Sequence, residues 1–158
     1  MGKESSAMSI FPTKILLATD GSQDAELART TAVDMAQSTD SGLHVVTVAL
    51  GYPSYDVRVP EIVERLRKQA QNILDEQVEK IERQRGKLAQ KHLRIVESYR
   101  AQQIVRVAEE IGAGLIVVMG RRGLGGVRRA LMGSVSDFVV RYAHCPVLVM
   151  RHEKERAA

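Results

Sequence analysis

Apolar runs rich in β-branched residues alternate with amphipathic stretches along the whole of this 158-residue chain. Five short runs predict buried strands: 14–19, 43–48, 92–99, 115–119 and 147–150. Four stretches with apolar side chains at helical spacing predict helices: 24–37, 61–85, 102–111 and 134–143. Strands joined by helical crossovers, which are right-handed, form a parallel sheet that is covered on both faces. The sequence therefore predicts one α/β domain, a doubly wound sheet of about five parallel strands.

The glycine-rich segment after the fourth predicted strand carries the clearest indication of function. Gly120, Gly123 and Gly133 would allow positive φ angles and would bring backbone N–H groups close to an anion. Ser134 is predicted to be the N-cap of the fourth helix, whose free amides and dipole attract phosphate, and Ser136 adds a second hydroxyl. A positive rim would come from nearby arginines: Arg121, Arg122, Arg128 and Arg129. The segment predicts a phosphate site, although glycines alone would also fit a flexible connection without a ligand.

The end of the first predicted strand offers a second group with suitable chemistry. If strands one and four are neighbours, Asp20 faces the same crevice as the glycine-rich segment, where ligands of such sheets gather. Asp20 can bind ribose hydroxyls or hold Mg²⁺ on the phosphates, or it can cap the following helix together with Ser22. No acidic residue lies between Ile111 and Ser136, so the segment lacks a general base that would activate water. Binding is therefore favoured over rapid hydrolysis.

At these residues the chain resembles the universal stress protein family, specifically its nucleotide-binding branch. The pattern Gly120-x2-Gly123-x9-Gly133-Ser134 meets the family's ATP signature, and residues 15–22 and 144–149 are similar to its opening and closing strands. The likeness covers residues 13–151 and leaves a flexible N-terminal tail, 1–12, and a C-terminal tail, 152–158. It implies an open five-stranded parallel sheet with helices on both faces, which is Rossmann-like and adenine nucleotide alpha hydrolase-like.

The resemblance also implies a ligand and a role. The ligand would be ATP, with or without Mg²⁺, in a homodimer that often pairs its last strands and acts in the stress response through nucleotide-dependent regulation. Four residues would surround adenine and ribose: Ala18, Thr19, Asp20 and Val48. Eight would line ribose and phosphates: Met119, Gly120, Arg122, Gly123, Gly133, Ser134, Val135 and Ser136. The alternative function is a slow Mg-dependent ATPase or an autophosphorylating protein. Residues 97–102 depart from the family, because they lack the Gly with Asp or Pro that is common after the third strand.

Composition excludes several other classes of protein. No apolar stretch reaches the roughly 20 residues that a membrane span needs, and the first twelve residues lack the apolar core of a signal peptide, so we expect a cytoplasmic protein without membrane association. The net charge of +4 raises the alternative of a nucleic-acid binder. Tryptophan is absent and aromatic residues make up 4% of the chain, so platforms for stacking bases are scarce. The single cysteine, Cys145, forms no internal disulfide and is predicted to be a small buried filler.

Overall fold

The computed structural model describes residues 8–51, 60–96, 99–120 and 133–151. In this part of the chain strands and helices alternate, in the order β1 (Lys14–Ala18), α1 (Ala25–Thr39), β2 (Gly42–Leu50), α2 (Pro60–Arg83), β3 (Leu88–Val96), α3 (Arg100–Ile111), β4 (Leu115–Met119), α4 (Ser134–Tyr142) and β5 (Val147–Met150). None of these helices is long and apolar enough to cross a membrane.

The strands form one parallel sheet in the order β3-β2-β1-β4-β5. Leu16 at the centre of β1 pairs with His44 of β2 on one side and with Ile116 of β4 on the other. The chain builds the sheet outward from β1 to β3 and then returns to the other side of β1 with β4. The predicted α/β class is confirmed. The first and fourth strands are neighbours, so the condition for a crevice shared by Asp20 and the glycine-rich segment is met.

Two helical layers bury the faces of the sheet. Ile15 and Leu17 face α1 and α2, whereas Leu16 between them faces α3 and α4, and all three side chains are completely buried. Alternate residues of a strand point to opposite faces, so a strand that is covered on both sides must be apolar at every position. Cys145 packs half-buried against the apolar side chains between the sheet and the layer of α3 and α4, and its burial raises the pKa of the thiol.

The third strand differs from its prediction at both ends, because β3 spans Leu88–Val96 rather than 92–99. Gln90 and Lys91 interrupt the apolar pattern near its start, and a strand at the edge of a sheet can carry polar residues that a search for apolar runs passes over. Beyond the strand, Tyr99 adopts a left-handed conformation with φ 61° and ψ 60°, which ends extended structure there. The next helix consequently begins at Arg100, two residues before its predicted start.

Candidate functional site

A cavity of about 420 Å³ opens at the carboxyl ends of β1, β2 and β4. It lies where the strand order reverses between β1 and β4, which is the place where ligands of open α/β sheets bind. Its walls come from the loop after β1, the carboxyl-terminal halves of β2 and β4, and the N-terminal ends of α1, α3 and α4. The cavity is thus formed by segments that are far apart along the chain.

Every predicted site residue that the structure describes lines this cavity. They are Ala18, Thr19, Asp20, Val48, Met119, Gly120, Gly133, Ser134, Val135 and Ser136. Two further predicted residues, Arg122 and Gly123, lie outside the described residues, as do Arg121, Arg128 and Arg129 of the predicted rim. Contact of any of these residues with a ligand stays a prediction.

Three hydrogen bonds between residues two or three positions apart shape the loop after β1. Thr19 Oγ1 accepts the N–H of Gly21 at 3.1 Å, Asp20 Oδ1 accepts that of Ser22 at 2.9 Å, and Ser22 Oγ accepts that of Ala25 at 3.2 Å. Gly21 allows the turn because its φ is +74°, in the left-handed region. Ser22 therefore holds the start of α1, whereas Asp20 holds the turn before it. The carboxylate of Asp20 is exposed at the cavity wall.

The start of α4 presents free backbone amides to the cavity. The N-cap is Gly133, with φ −66° and ψ 166°, so the prediction that Ser134 is the N-cap was wrong by one residue. The first bond inside the helix runs from the N–H of Asp137 to the oxygen of Gly133, at 2.9 Å. The amides of residues 134–136 precede that bond and have no acceptor within the helix. The buried Ser136 hydroxyl donates to the same oxygen at 3.1 Å. The exposed Ser134 hydroxyl lies at the cavity wall, accessible to a ligand.

Gly120 and Gly133 do not have the backbone angles that were predicted for them. Gly133 has a negative φ, and Gly120 also lies outside the left-handed region, so positive φ angles at these two positions were wrongly predicted. Gly120 instead lies close to β5, where its N–H donates to Met150 O at 2.8 Å. An added Cβ at Gly120 would stand 3.1 Å from Val149 Cγ1 and 3.2 Å from Met150 O. Close approach to the neighbouring strand is therefore what favours glycine at Gly120.

The cavity also has lining residues that sequence analysis missed. They are Ser22, Asp24, Ala25, Val46, Arg100, Ile104 and Val118. Arg100 opens α3 and is the cation among the described lining residues, whose acids are Asp20 and Asp24. A correct boundary between β3 and α3 would have marked Arg100, because the residues that follow the carboxyl end of a parallel strand lie at the ligand edge of the sheet.

The cavity combines an apolar end with a polar end. Val46, Val48 and Ile104 provide aliphatic walls near β2 and α3, whereas the free amides of α4 and the Ser134 hydroxyl lie on the opposite side of β1. A flat apolar group fits the first region and an anion the second. No cluster of three or more His, Cys, Asp or Glu side chains that could hold a metal ion occurs among the described residues. A cation at Asp20 would therefore need further oxygen ligands from the bound molecule.

Comparison with known proteins identifies the family. The model of the universal stress protein family matches residues 12–151. The chain belongs to the universal stress protein family. A protein of Staphylococcus haemolyticus that carries the family's name is 36% identical to this universal stress protein over 142 residues, which are 89% of this chain and 85% of the relative.

Solved structures of the family have the same fold. A universal stress protein from Burkholderia pseudomallei is 30% identical, with a TM-score of 0.68 over 90% of this chain and 97% of its own. A universal stress protein whose structure was solved in complex with cAMP is 22% identical, with a TM-score of 0.66 over 90% of this chain and 99% of its own. At that identity the second similarity shows the fold alone.

Proposed function

We propose that this universal stress protein binds ATP in the cavity at the carboxyl edge of its sheet and acts in the stress response as a nucleotide-dependent regulatory protein. The observation that carries the proposal is the position of the predicted site residues, since those that the structure describes all line one cavity of about 420 Å³. The relative solved with cAMP supports it, because a protein of this fold there holds an adenine nucleotide.

The two ends of the cavity suit the two ends of a nucleotide. The base would lie against Val46, Val48 and Ile104, where its apolar faces replace water. The phosphates would accept hydrogen bonds from the free amides at the start of α4, where the helix dipole contributes about 0.3–1 kcal/mol for an anion. Asp20, beside the middle of the cavity, would bind ribose hydroxyls or share Mg²⁺ with the phosphates.

Calorimetric titration of the nucleotide-free protein with ATP, GTP and AMP, each with Mg²⁺ or with EDTA, tests this function directly. We expect micromolar affinity for ATP and an affinity for AMP that is at least about tenfold weaker. AMP lacks the β- and γ-phosphates that would reach the backbone amides at the start of α4. Higher affinity with Mg²⁺ than with EDTA would support the shared cation at Asp20. No detectable heat with any adenine nucleotide up to millimolar concentration would contradict the proposal.

Arg100 is expected to increase nucleotide affinity through its charge. Its guanidinium would attract the phosphates across the open cavity or stack on the base, and each contact contributes roughly 0.5–2 kcal/mol. We therefore predict that Arg100→Ala weakens ATP binding by about threefold to 30-fold in the same titration. Arg106→Ala is the matched control, because Arg106 lies on the same helix but does not line the cavity. Equal affinity of the two variants would show that Arg100 does not contact the ligand.

Slow ATP hydrolysis or autophosphorylation is less well supported than binding. The carboxylates that the described residues contribute to the cavity belong to Asp20, whose Oδ1 already accepts a hydrogen bond, and to Asp24, which is engaged in an interaction of its own. Neither arrangement marks a general base for an attacking water. Release of phosphate over hours from the calorimetric samples would revive this alternative.

We also propose a cytoplasmic homodimer that pairs through β5. This strand lies at one edge of the sheet, pairs with β4 on its inner side, and carries four half-buried apolar residues. An apolar edge strand is a template for pairing with a second chain. A monomeric mass in sedimentation equilibrium at micromolar concentration would contradict the dimer.

A further inference from the structure

Two histidines from neighbouring strands contact each other beneath α3. His44 of β2 and His92 of β3 are 6% and 7% exposed, and His44 Nδ1 lies 3.2 Å from His92 Nε2. Their rings stack with centroids 5.5 Å apart and planes 18° from parallel. One ring nitrogen must donate a hydrogen and the other must accept it, so the contact requires at least one neutral ring.

The surroundings of the pair favour the neutral form of both rings. Burial lowers the pKa of each imidazole, and the charge of His92 and then that of Lys14 on β1 lower the pKa of His44 further. Arg94 on β3 lowers the pKa of His92, while Glu110 on α3 opposes that shift. Glu110 forms an ion pair with Arg94 at 2.9 Å, so its negative charge mainly balances the positive charge of Arg94 and not a charge on His92.

A first proton can enter at the far nitrogen of the donor ring without breaking the contact. A second proton places hydrogens on both facing nitrogens, which then repel each other at 3.2 Å. Protonation of both rings therefore breaks the contact and also leaves two charges in a poorly hydrated space.

The pair lies where α3 is fastened to the sheet. Arg94 of β3 pairs with Glu110, and Lys14 of β1 donates from Nζ to Ile111 O at 3.0 Å, so both polar ties hold the last turn of α3. Val46 of β2, which points to the same face of the sheet as His44, packs with the buried side chains of α3. The opposite end of that helix supplies Arg100 to the cavity wall.

We propose that the buried His44–His92 pair is proton-sensitive: in its neutral form it allows α3 to pack on β2 and β3, and protonation of both rings on acidification releases the helix. The direction follows from linkage. When folding lowers the pKa of a histidine, the folded state is most stable at a pH above the pKa of the unfolded chain, which is about 6.5. The free energy of unfolding then decreases as the pH falls below that pKa. For each such histidine the equilibrium constant for opening rises up to tenfold per pH unit.

Hydrogen exchange of the nucleotide-free protein at pH 7.5 and pH 5.5, corrected for intrinsic rates, tests this proposal. We expect the amides of α3 to exchange at least tenfold faster at the lower pH, while those of α1 on the opposite face change less than twofold. In His44→Gln/His92→Gln the difference between the two helices should no longer depend on pH. His144→Gln is the matched control, since His144 bonds to the Ala113 carbonyl rather than to another ring, and it should keep the wild-type response.

An NMR titration of the wild-type imidazoles provides a second measurement, should the double variant fail to fold. Nitrogen shifts should show both rings neutral at pH 6.5 and a loss of the α3 amide signals that follows their protonation. Ordinary midpoints near 6.5 for both rings, equal acceleration of exchange in α1 and α3, or an unchanged pH response in the double variant would each overturn the proposal. None of these measurements involves a nucleotide, so their outcome is independent of the function proposed above.

Discussion

Replacing Gly133 with valine is expected to remove ATP binding from a chain that still folds. Gly133 lines the cavity and caps α4, directly before the free amides that would hold phosphate. Its φ of −66° and ψ of 166° lie in the extended region that valine prefers, so the backbone need not change. The added carbons would occupy the space of the anion, and we expect affinity to fall at least 100-fold, or about 2.8 kcal/mol.

The experiment compares calorimetric titrations and unfolding curves for Gly133→Val with those for Gly42→Ala. Gly42 lies at the start of β2, away from the cavity, where an added Cβ would make an ordinary contact of 3.8 Å with Ala89. The control should bind ATP like the wild type. Micromolar binding by Gly133→Val would show that the ligand does not lie against the start of α4. A large loss of stability would show instead that the cap geometry needs glycine.

Replacing Gly21 with valine is expected to cause the largest loss of stability. Gly21 has a φ of +74°, and an added Cβ would lie 2.5 Å from Cγ2 of Ile73 on α2. A β-branched residue in the left-handed region costs about 1–2 kcal/mol, and overpacking adds typically 1–3 kcal/mol. We predict that the free energy of unfolding falls by about 3 kcal/mol, measured by urea denaturation.

Gly112→Val separates the two causes of that loss. Gly112 has a similar φ of +67° at the end of α3, but an added Cβ there would meet nothing within 4 Å. Backbone strain alone should cost this control about 1–2 kcal/mol. Equal losses in the two variants would mean that Ile73 moves aside at no cost, and that packing of α2 on the loop after β1 is not tight.

The glycines and serines of the site and Asp20 were predicted from local signals, and the other site residues, such as Val48 and Met119, were implied by the family resemblance. Neither source predicted the details of their geometry. Glycines and serines at a strand-to-helix junction indicate an anion site whatever the order of the strands in the sheet. In the structure Gly133 and Ser134 lie on the cavity wall. The cap position and the backbone angles were wrong because they depend on how the segment meets its neighbours. Gly120 illustrates this, since contact with β5 rather than a turn restricts the residue there.

The alternation of apolar runs and helical stretches by itself determined the α/β class and the parallel sheet, because buried strands must be apolar on both faces and can be joined only by crossovers. Only the tertiary structure decided which strands are neighbours, that Arg100 reaches the cavity, and that His44 meets His92 across 47 intervening residues. Periodicity reports the environment of each residue along its own element. It carries no information on contacts between elements, which arise from the packing of the whole chain.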